Sequence, residues 1–229
     1  MISRYNPIKI AALITAIAFS TTAAYGQQII GADHLVLSGQ VYTPINGWRT
    51  PFEGSLAVVS EPPGGTGVIA AGQLSFIFGR PSTLEPLAHV LANAVRGWGD
   101  LVISPPGAMG AQLTLRTPEA GMTISQNATF EGGMSGGRRT VYYIFVDRDV
   151  AISGRRRIEN TSDRDDREWI EDHMAFNIIL KMGWNILYRS TRERWDEMGN
   201  GESTTTLSQD ITEWAVWMYH PENAIPFFN

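Results

Sequence analysis

Thr140-Val141-Tyr142-Tyr143-Ile144-Phe145-Val146, followed by Asp147-Arg148-Asp149 and then by Val150-Ala151-Ile152, is the stretch that decides the fold. β-Branched and aromatic side chains suit a pleated surface better than a helix. Successive strand residues point to opposite faces, so Tyr142, Ile144 and Val146 share one face. Two aspartates around an arginine make a turn, because short acidic side chains bond to the local backbone. The stretch therefore reads as a strand, a tight reversal and the start of a second strand.

The same pattern extends in both directions. Leu35 to Tyr42 alternates apolar with polar or small residues, and Ser55 to Ser60 is rich in valine. Gln73 to Phe78 sets Leu74, Phe76 and Phe78 on one face. Short strands are expected at Leu101–Ile103, Gln112–Arg116 and Met122–Ser125, separated by Pro- and Gly-rich turns. Phe176 to Leu180, Lys181-Met182-Gly183 and Trp184 to Arg189 form a hairpin, and Ser203–Leu207 and Trp214–Tyr219 close the series. Strands at this spacing predict an antiparallel β-sandwich or barrel.

Two segments depart from that pattern. Ser82-Thr83-Leu84-Glu85 fits a capping box, and Leu84, Leu87, Ala88, Leu91 and Val95 recur at helical spacing. One α-helix packed on the sheet is therefore expected over about Leu84–Val95. Asn160 to His173 is highly charged and poorly periodic, and is expected to be a loop or a short exposed helix. The fold class expected is mainly β: an antiparallel β-sandwich with one packed helix.

The N-terminus carries Arg4 and Lys9, an apolar run from Ile10 to Phe19, and small residues up to Ala24-Tyr25-Gly26. That order is the n-region, h-region and cleavage site of a secretory signal peptide. The run is too short to span a bilayer core, and no second stretch of membrane length follows. The expected organisation is a signal peptide over 1–26 and a single exported β-sandwich domain over 27–229, with no transmembrane segment in the mature chain.

Charge and cysteine content exclude several chemistries. The formal net charge is −5, and losing the signal's two cations takes it to −7. A duplex-binding protein presents a basic face, so nucleic acid is not an expected partner. The chain has no cysteine, which excludes disulfides, thiolate metal sites, cysteine nucleophiles and lipidation at a cleavage-site cysteine. Gly65-x-Gly67 is followed by a Val-Ile run rather than a helix, so it is not read as a phosphate cradle. No cofactor is expected.

Five phrases occur together: Leu37-Ser38-Gly39-Gln40-Val41-Tyr42, Pro51-Phe52-Glu53-Gly54-Ser55-Leu56, Gly72-Gln73-Leu74-Ser75-Phe76, Tyr142 through Val150, and Lys181-Met182-Gly183-Trp184-Asn185. In these the chain resembles the small exported β-rich proteins of host-associated spirochaetes, many of them lipoproteins. The resemblance spans most of the mature chain and rests on structural motifs. It implies an exported β-rich fold and supplies no catalytic residues. The lipobox cysteine of many such proteins is absent here.

Four constellations are candidates for chemistry. Gly133-Met134-Ser135-Gly136-Gly137 matches G-x-S-x-G, with His34 or His89 as bases and Asp100 as an orienting acid. Ser135 leads into a strand, however, and a glycine-rich turn explains the motif. Asp147 and Asp149, with Asp163, Asp165, Asp166, Glu168, Glu171 and Asp172, offer oxygens for calcium or a carboxylate pair for glycoside hydrolysis. Arg164 and Arg167 offer the acidic segment internal partners, the EF-hand glycine and glutamate are missing, and no metal is expected. Of the seven tryptophans, Trp184, Trp214 and Trp217 fall in expected strands and should be buried. Trp48 and Trp169 fall in loop-like segments and are the candidate ligand-binding residues of an aromatic sugar platform.

The function expected is a non-catalytic envelope or extracellular module that binds an unidentified envelope or host component, carbohydrate or protein. A secreted hydrolase using Ser135 or a carboxylate pair, and a calcium-dependent adhesin-like domain, are the alternatives. Localisation should follow from cleavage after Gly26. The exported protein should therefore begin at Gln27, which its intact mass checks; retention of residues 1–26 would overturn this reading.

Overall fold

The computed structural model describes residues 27–29, 32–45, 48–92, 94–118, 123–132, 135–161, 168–198, 200–209 and 216–219. Its strands are β1 (Gln27–Ile29), β2 (Leu35–Ile45), β3 (Trp48–Pro51), β4 (Leu56–Glu61), β5 (Gly65–Ala70), β6 (Gln73–Phe78) and β7 (Glu85–Pro86). One short helix follows, α1 (Leu87–Leu91), and then β8 (Val102–Ser104), β9 (Met109–Gln112), β10 (Thr114–Arg116) and β11 (Thr123–Gly132). The long strands come next: β12 (Ser135–Val146), β13 (Val150–Thr161), β14 (Glu168–Leu180) and β15 (Gly183–Trp195). The last two are β16 (Gly201–Ser208) and β17 (Val216–Tyr219).

The architecture is mainly β and sandwich-like, with two curled mixed sheets and little helix. In the first sheet β2, β6, β5, β4, β10, β11 and β17 follow one another by pairing, and β17 returns to β2, so the sheet closes on itself. The second sheet runs β8–β13–β14–β16–β15–β12, with β9 along the other edge of β12. Pairing of β11 with β12 joins the two sheets.

The Thr140–Val146 stretch of β12 is the shared wall. Val141, Tyr143 and Phe145 of β12 enter one hydrophobic cluster with Leu35, Phe76, Phe78, Trp184, Tyr188 and Trp217. Ile144 and Val146 enter the other, with Leu87, Leu91, Val150, Ile152, Leu180 and Leu187, and Tyr142 packs against it. β12 pairs with β15 along its whole length, from Ser135↔Arg194 to Val146↔Gly183. The sequence pattern identified only one apolar face of β12. Both faces are buried, as a near-continuous run of apolar residues allows.

Aromatic contacts define the first cluster. Trp184 meets Phe78 edge-on at 5.2 Å and Phe145 at 5.5 Å, while Tyr143 and Trp217 stack at 6.0 Å. Buried indole N–H groups need partners. Trp184 Nε1 donates to the Gly79 carbonyl at 3.1 Å, Trp217 Nε1 to Ser38 at 3.0 Å and Trp98 Nε1 to Met174 at 3.1 Å. Trp184 and Trp217 are core residues, as expected; Trp214 lies outside the described residues. Burial, and secondarily the nearby Tyr188, push the Tyr143 phenol well above its ordinary range.

The helix is shorter than its apolar spacing predicts. Glu85 and Pro86 form β7 against β9 instead of a first helical turn, and Pro86 caps α1 without a side-chain bond. Pairing Glu85 with Gly110 holds the backbone extended where the capping box would need a helix, and the Leu87 N–H is taken by the Ala108 carbonyl at 2.9 Å. α1 still buries Leu87, Val90 and Leu91 in the second cluster. Gly97 follows at φ 99°, where a Cβ would collide with the His173 ring. That ring is buried edge-on against Trp98 at 4.8 Å.

The larger correction concerns Asn160–His173. Asn160 and Thr161 end β13, and residues 168–173 begin β14; 162–167 lie outside the described residues. Residues 169–173 are strand because they are paired on both sides. Arg157 lies opposite Asp172 in β13, and Trp169 to His173 run parallel to Gly201 to Thr205 of β16. Ladder bonds from neighbouring strands override a local sequence with no apolar period.

Because adjacent residues of β12 serve opposite clusters, both Ile144→Ala and Phe145→Ala should destabilise strongly. The expected costs are about 2–5 and about 3–5 kcal/mol respectively, measured by urea unfolding. A strand buried on one face would leave one of the two changes nearly neutral.

Candidate functional site

β12, β15 and β16 run on past the hydrophobic clusters. Side chains alternate, so Ser190, Arg192 and Arg194 continue the face of β15 that carries Trp184, Ile186 and Tyr188. Here the first cluster gives way to a polar groove of about 310 Å³, lined by Ser190, Arg192, Arg194, Glu202, Thr204 and Thr206. The lining is three directly opposed cross-strand pairs: Ser190↔Thr206, Arg192↔Thr204 and Arg194↔Glu202. On the other flank, Ser135, Gly137 and Arg139 of β12 lie opposite Arg194, Arg192 and Ser190. Gly137 adds no side chain beside Arg192.

Arg192, Arg194, Glu202 and Thr206 are exposed, and Ser190 and Thr204 are half-buried. Neither Arg192 nor Arg194 forms an ion pair with another described residue. Ladder pairing occupies the backbone groups of β15 on both edges, so recognition in the groove falls to side chains. Two guanidinium groups, three hydroxyls and a carboxylate can bind a ligand that offers both hydroxyl and anionic groups.

The opposite face of the same strands is closed. Thr191 and Thr205 bond through their hydroxyls at 3.1 Å, and Ser203, Thr205 and His173 are buried. The Arg189 guanidinium lies 5.6 Å over the Trp98 ring. The wall therefore has one open polar face and one packed face at the same height.

The candidates from the sequence lie elsewhere. Trp48 opens β3 opposite Ile45, and Trp169 lies in β14 between Asn160 and Gly201. Both are strand residues on different sheets, not loop residues, because hairpin and parallel pairing extend the strands through them. Their side chains lie outside what the structure describes.

Ser135 begins β12, while His34 and His89 are associated with the far end. His34 directly precedes β2, two residues after Ala32, whose carbonyl accepts the Trp184 backbone N–H at 3.1 Å; Gly183 itself pairs with Val146. α1, which carries His89, docks beside Ala108, and Gly110 pairs with Val146. The length of β12 separates these histidines from Ser135 by on the order of 30 Å. Gly133 and Met134 lie outside the described residues, as do Asp163, Asp165 and Asp166. Glu171 and Asp172 are adjacent in β14, opposite Ile158 and Arg157 of β13. Among the described residues no cluster of three or more potential metal ligands occurs, and no helix is long and apolar enough to cross a membrane.

Asp147 and Asp149 join two turns. Asp147 takes a bidentate bond from the Arg148 guanidinium, with Nη2 at 2.6 Å, and accepts the Met109 N–H at 3.1 Å. Asp149 accepts Lys181 Nζ at 2.8 Å and the Met182 N–H at 2.9 Å. Asn185 secures the same turn, accepting the Lys181 N–H at 2.9 Å and donating to the Lys181 carbonyl at 2.7 Å. Gly183 has φ 102°, and a Cβ there would overlap the Ala32 carbonyl. These bonds hold both carboxyls below the ordinary range, chiefly through Arg148 for Asp147 and Lys181 for Asp149.

The groove residues escaped the sequence reading for a reason. Ser190-x-Arg192-x-Arg194 and Glu202-x-Thr204-x-Thr206 are polar at period two, but so are Thr191-x-Glu193 and Ser203-x-Thr205 between them. No face stands out without the pairing register. No family model matches the chain, and no curated protein or solved structure matches it. The class is thus defined by its own geometry: a double-cored β wall with a polar groove at one end.

A carboxyl lowered in the folded state adds stability that is present above its unfolded pKa and lost as pH falls through the folded value. Asp149→Asn should accordingly lower Tm at neutral pH, and its difference from the parent should shrink as pH drops below about 4. A gap that stays constant across that acid range would sink the assignment.

Proposed function

We propose that the mature chain is an exported, non-catalytic binding module of the envelope or extracellular space, with the β15–β16 groove as its binding face. The carrying observation is the pair Arg192 and Arg194, exposed on a rigid strand wall without ion-pair partners among the described residues. Exposed guanidinium groups beside hydroxyls are suited to ligand contact, and the long ladders beneath them fix their spacing. The N-terminal signal and the resemblance to exported β-rich proteins support a location beyond the inner membrane. The partner is an envelope or host component, carbohydrate or protein.

The exported protein should co-sediment with isolated envelope material or extracellular matrix, and raised salt should release it because exposed charges are screened. If it remains in the supernatant with every such material at low salt, the proposal fails.

A further inference from the structure

We propose that the groove lined by Ser190, Arg192, Arg194, Glu202, Thr204 and Thr206 is a subsite for an acidic saccharide that presents carboxylates among hydroxyls. This rests on the binding-module reading and gives it a ligand class. The groove has cationic donors for a carboxylate and, in the same space, groups that match sugar hydroxyls. Arg192 and Arg194 are two residues apart on one face of β15, so their backbone origins are about 7 Å apart. A guanidinium holds a carboxylate through two parallel N–H bonds, which favours a planar anion.

Glu202 refines the choice. It faces Arg194 across the ladder and places an acceptor within the groove. A carboxylate there opposes a densely charged polyanion and accepts bonds from sugar hydroxyls. Thr204, opposite Arg192, and Ser190 supply hydroxyls that both donate and accept, and the Thr206 hydroxyl, which donates to the Ser190 carbonyl at 3.5 Å, keeps its capacity to accept. Phosphate sites typically aim several backbone N–H groups at the anion from a loop or helix start. This groove is built on paired strands, whose N–H groups are already used. Gly137, opposite Arg192 on β12, adds no side chain on that flank.

The test titrates the exported protein by calorimetry with three probes: an oligogalacturonate, the same oligosaccharide with its carboxyls reduced to alcohols, and inorganic polyphosphate. The oligogalacturonate should bind, and the reduced form should bind at least about tenfold more weakly. Arg192→Ala and Arg194→Ala should each weaken binding about tenfold. Thr204→Val should cost less, and Glu202→Gln should tighten binding by easing repulsion of the carboxylate. That gain cannot arise from misfolding, so it guards against a trivial loss in the arginine variants. Equal affinity for the reduced oligosaccharide, tighter binding of polyphosphate, or arginine variants that bind as the parent does would each overturn the saccharide assignment. Envelope association that persists in Arg192→Ala and Arg194→Ala, with no oligogalacturonate binding, would overturn the subsite and the groove as binding face, and leave standing only an exported module that binds through another surface. Loss of both would remove the two together.

Discussion

The β12–β15 pairing is the interaction on which the rest of this molecule depends. A strand pair with one apolar face supports one core; this pair supports two, because Phe145, Tyr143 and Val141 alternate with Ile144 and Val146. Each fully buried large side chain is worth about 1.5–3 kcal/mol, and here the gains fall on both sides of one backbone ladder. The first sheet closes around one side, and β13, β14 and α1 cover the other. With no cysteine in the chain, no disulfide can replace that packing.

The wall is asymmetric along its length. At the Val146–Gly183 end it is bound by Asp149 to Lys181 and Met182, by Asn185 to the turn it follows, and by Trp184 to Ala32. Two reversals and the approach to β2 are secured there within a few residues. At the Ser135–Arg194 end the same strands carry arginine, serine, threonine and glutamate, and apolar packing ends. A fixed end and a polar end on one continuous ladder transmit the rigidity of the cores to the groove.

The fold was legible where periodicity and burial coincide. Leu74, Phe76 and Phe78 alternate and are buried, and the hairpin around Lys181-Met182-Gly183 lies where its turn residues predict. It was not legible where pairing partners decide conformation. Glu168 to His173 carries no strand period, yet β13 on one side and β16 on the other hold it extended. Ser82 to Glu85 carries a helix signature that loses to pairing of Glu85 with Gly110. The groove was illegible for a related reason. Arg192 and Arg194 resemble any solvated charges until the register places Thr204 and Glu202 opposite them.

That register also separates the polar groove from the packed indoles. Large indoles are the most valuable material for a core, and Trp98, Trp184 and Trp217 are buried with their N–H groups bonded to backbone carbonyls. In a cysteine-free chain those tryptophans are committed to packing. In the proposed binding module, surface recognition falls to residues whose removal costs the cores little: exposed arginines and hydroxyls on strands already fixed by their ladders. The groove thus lies where the strands outlast the apolar clusters, close enough to share their rigidity and far enough out to remain wet.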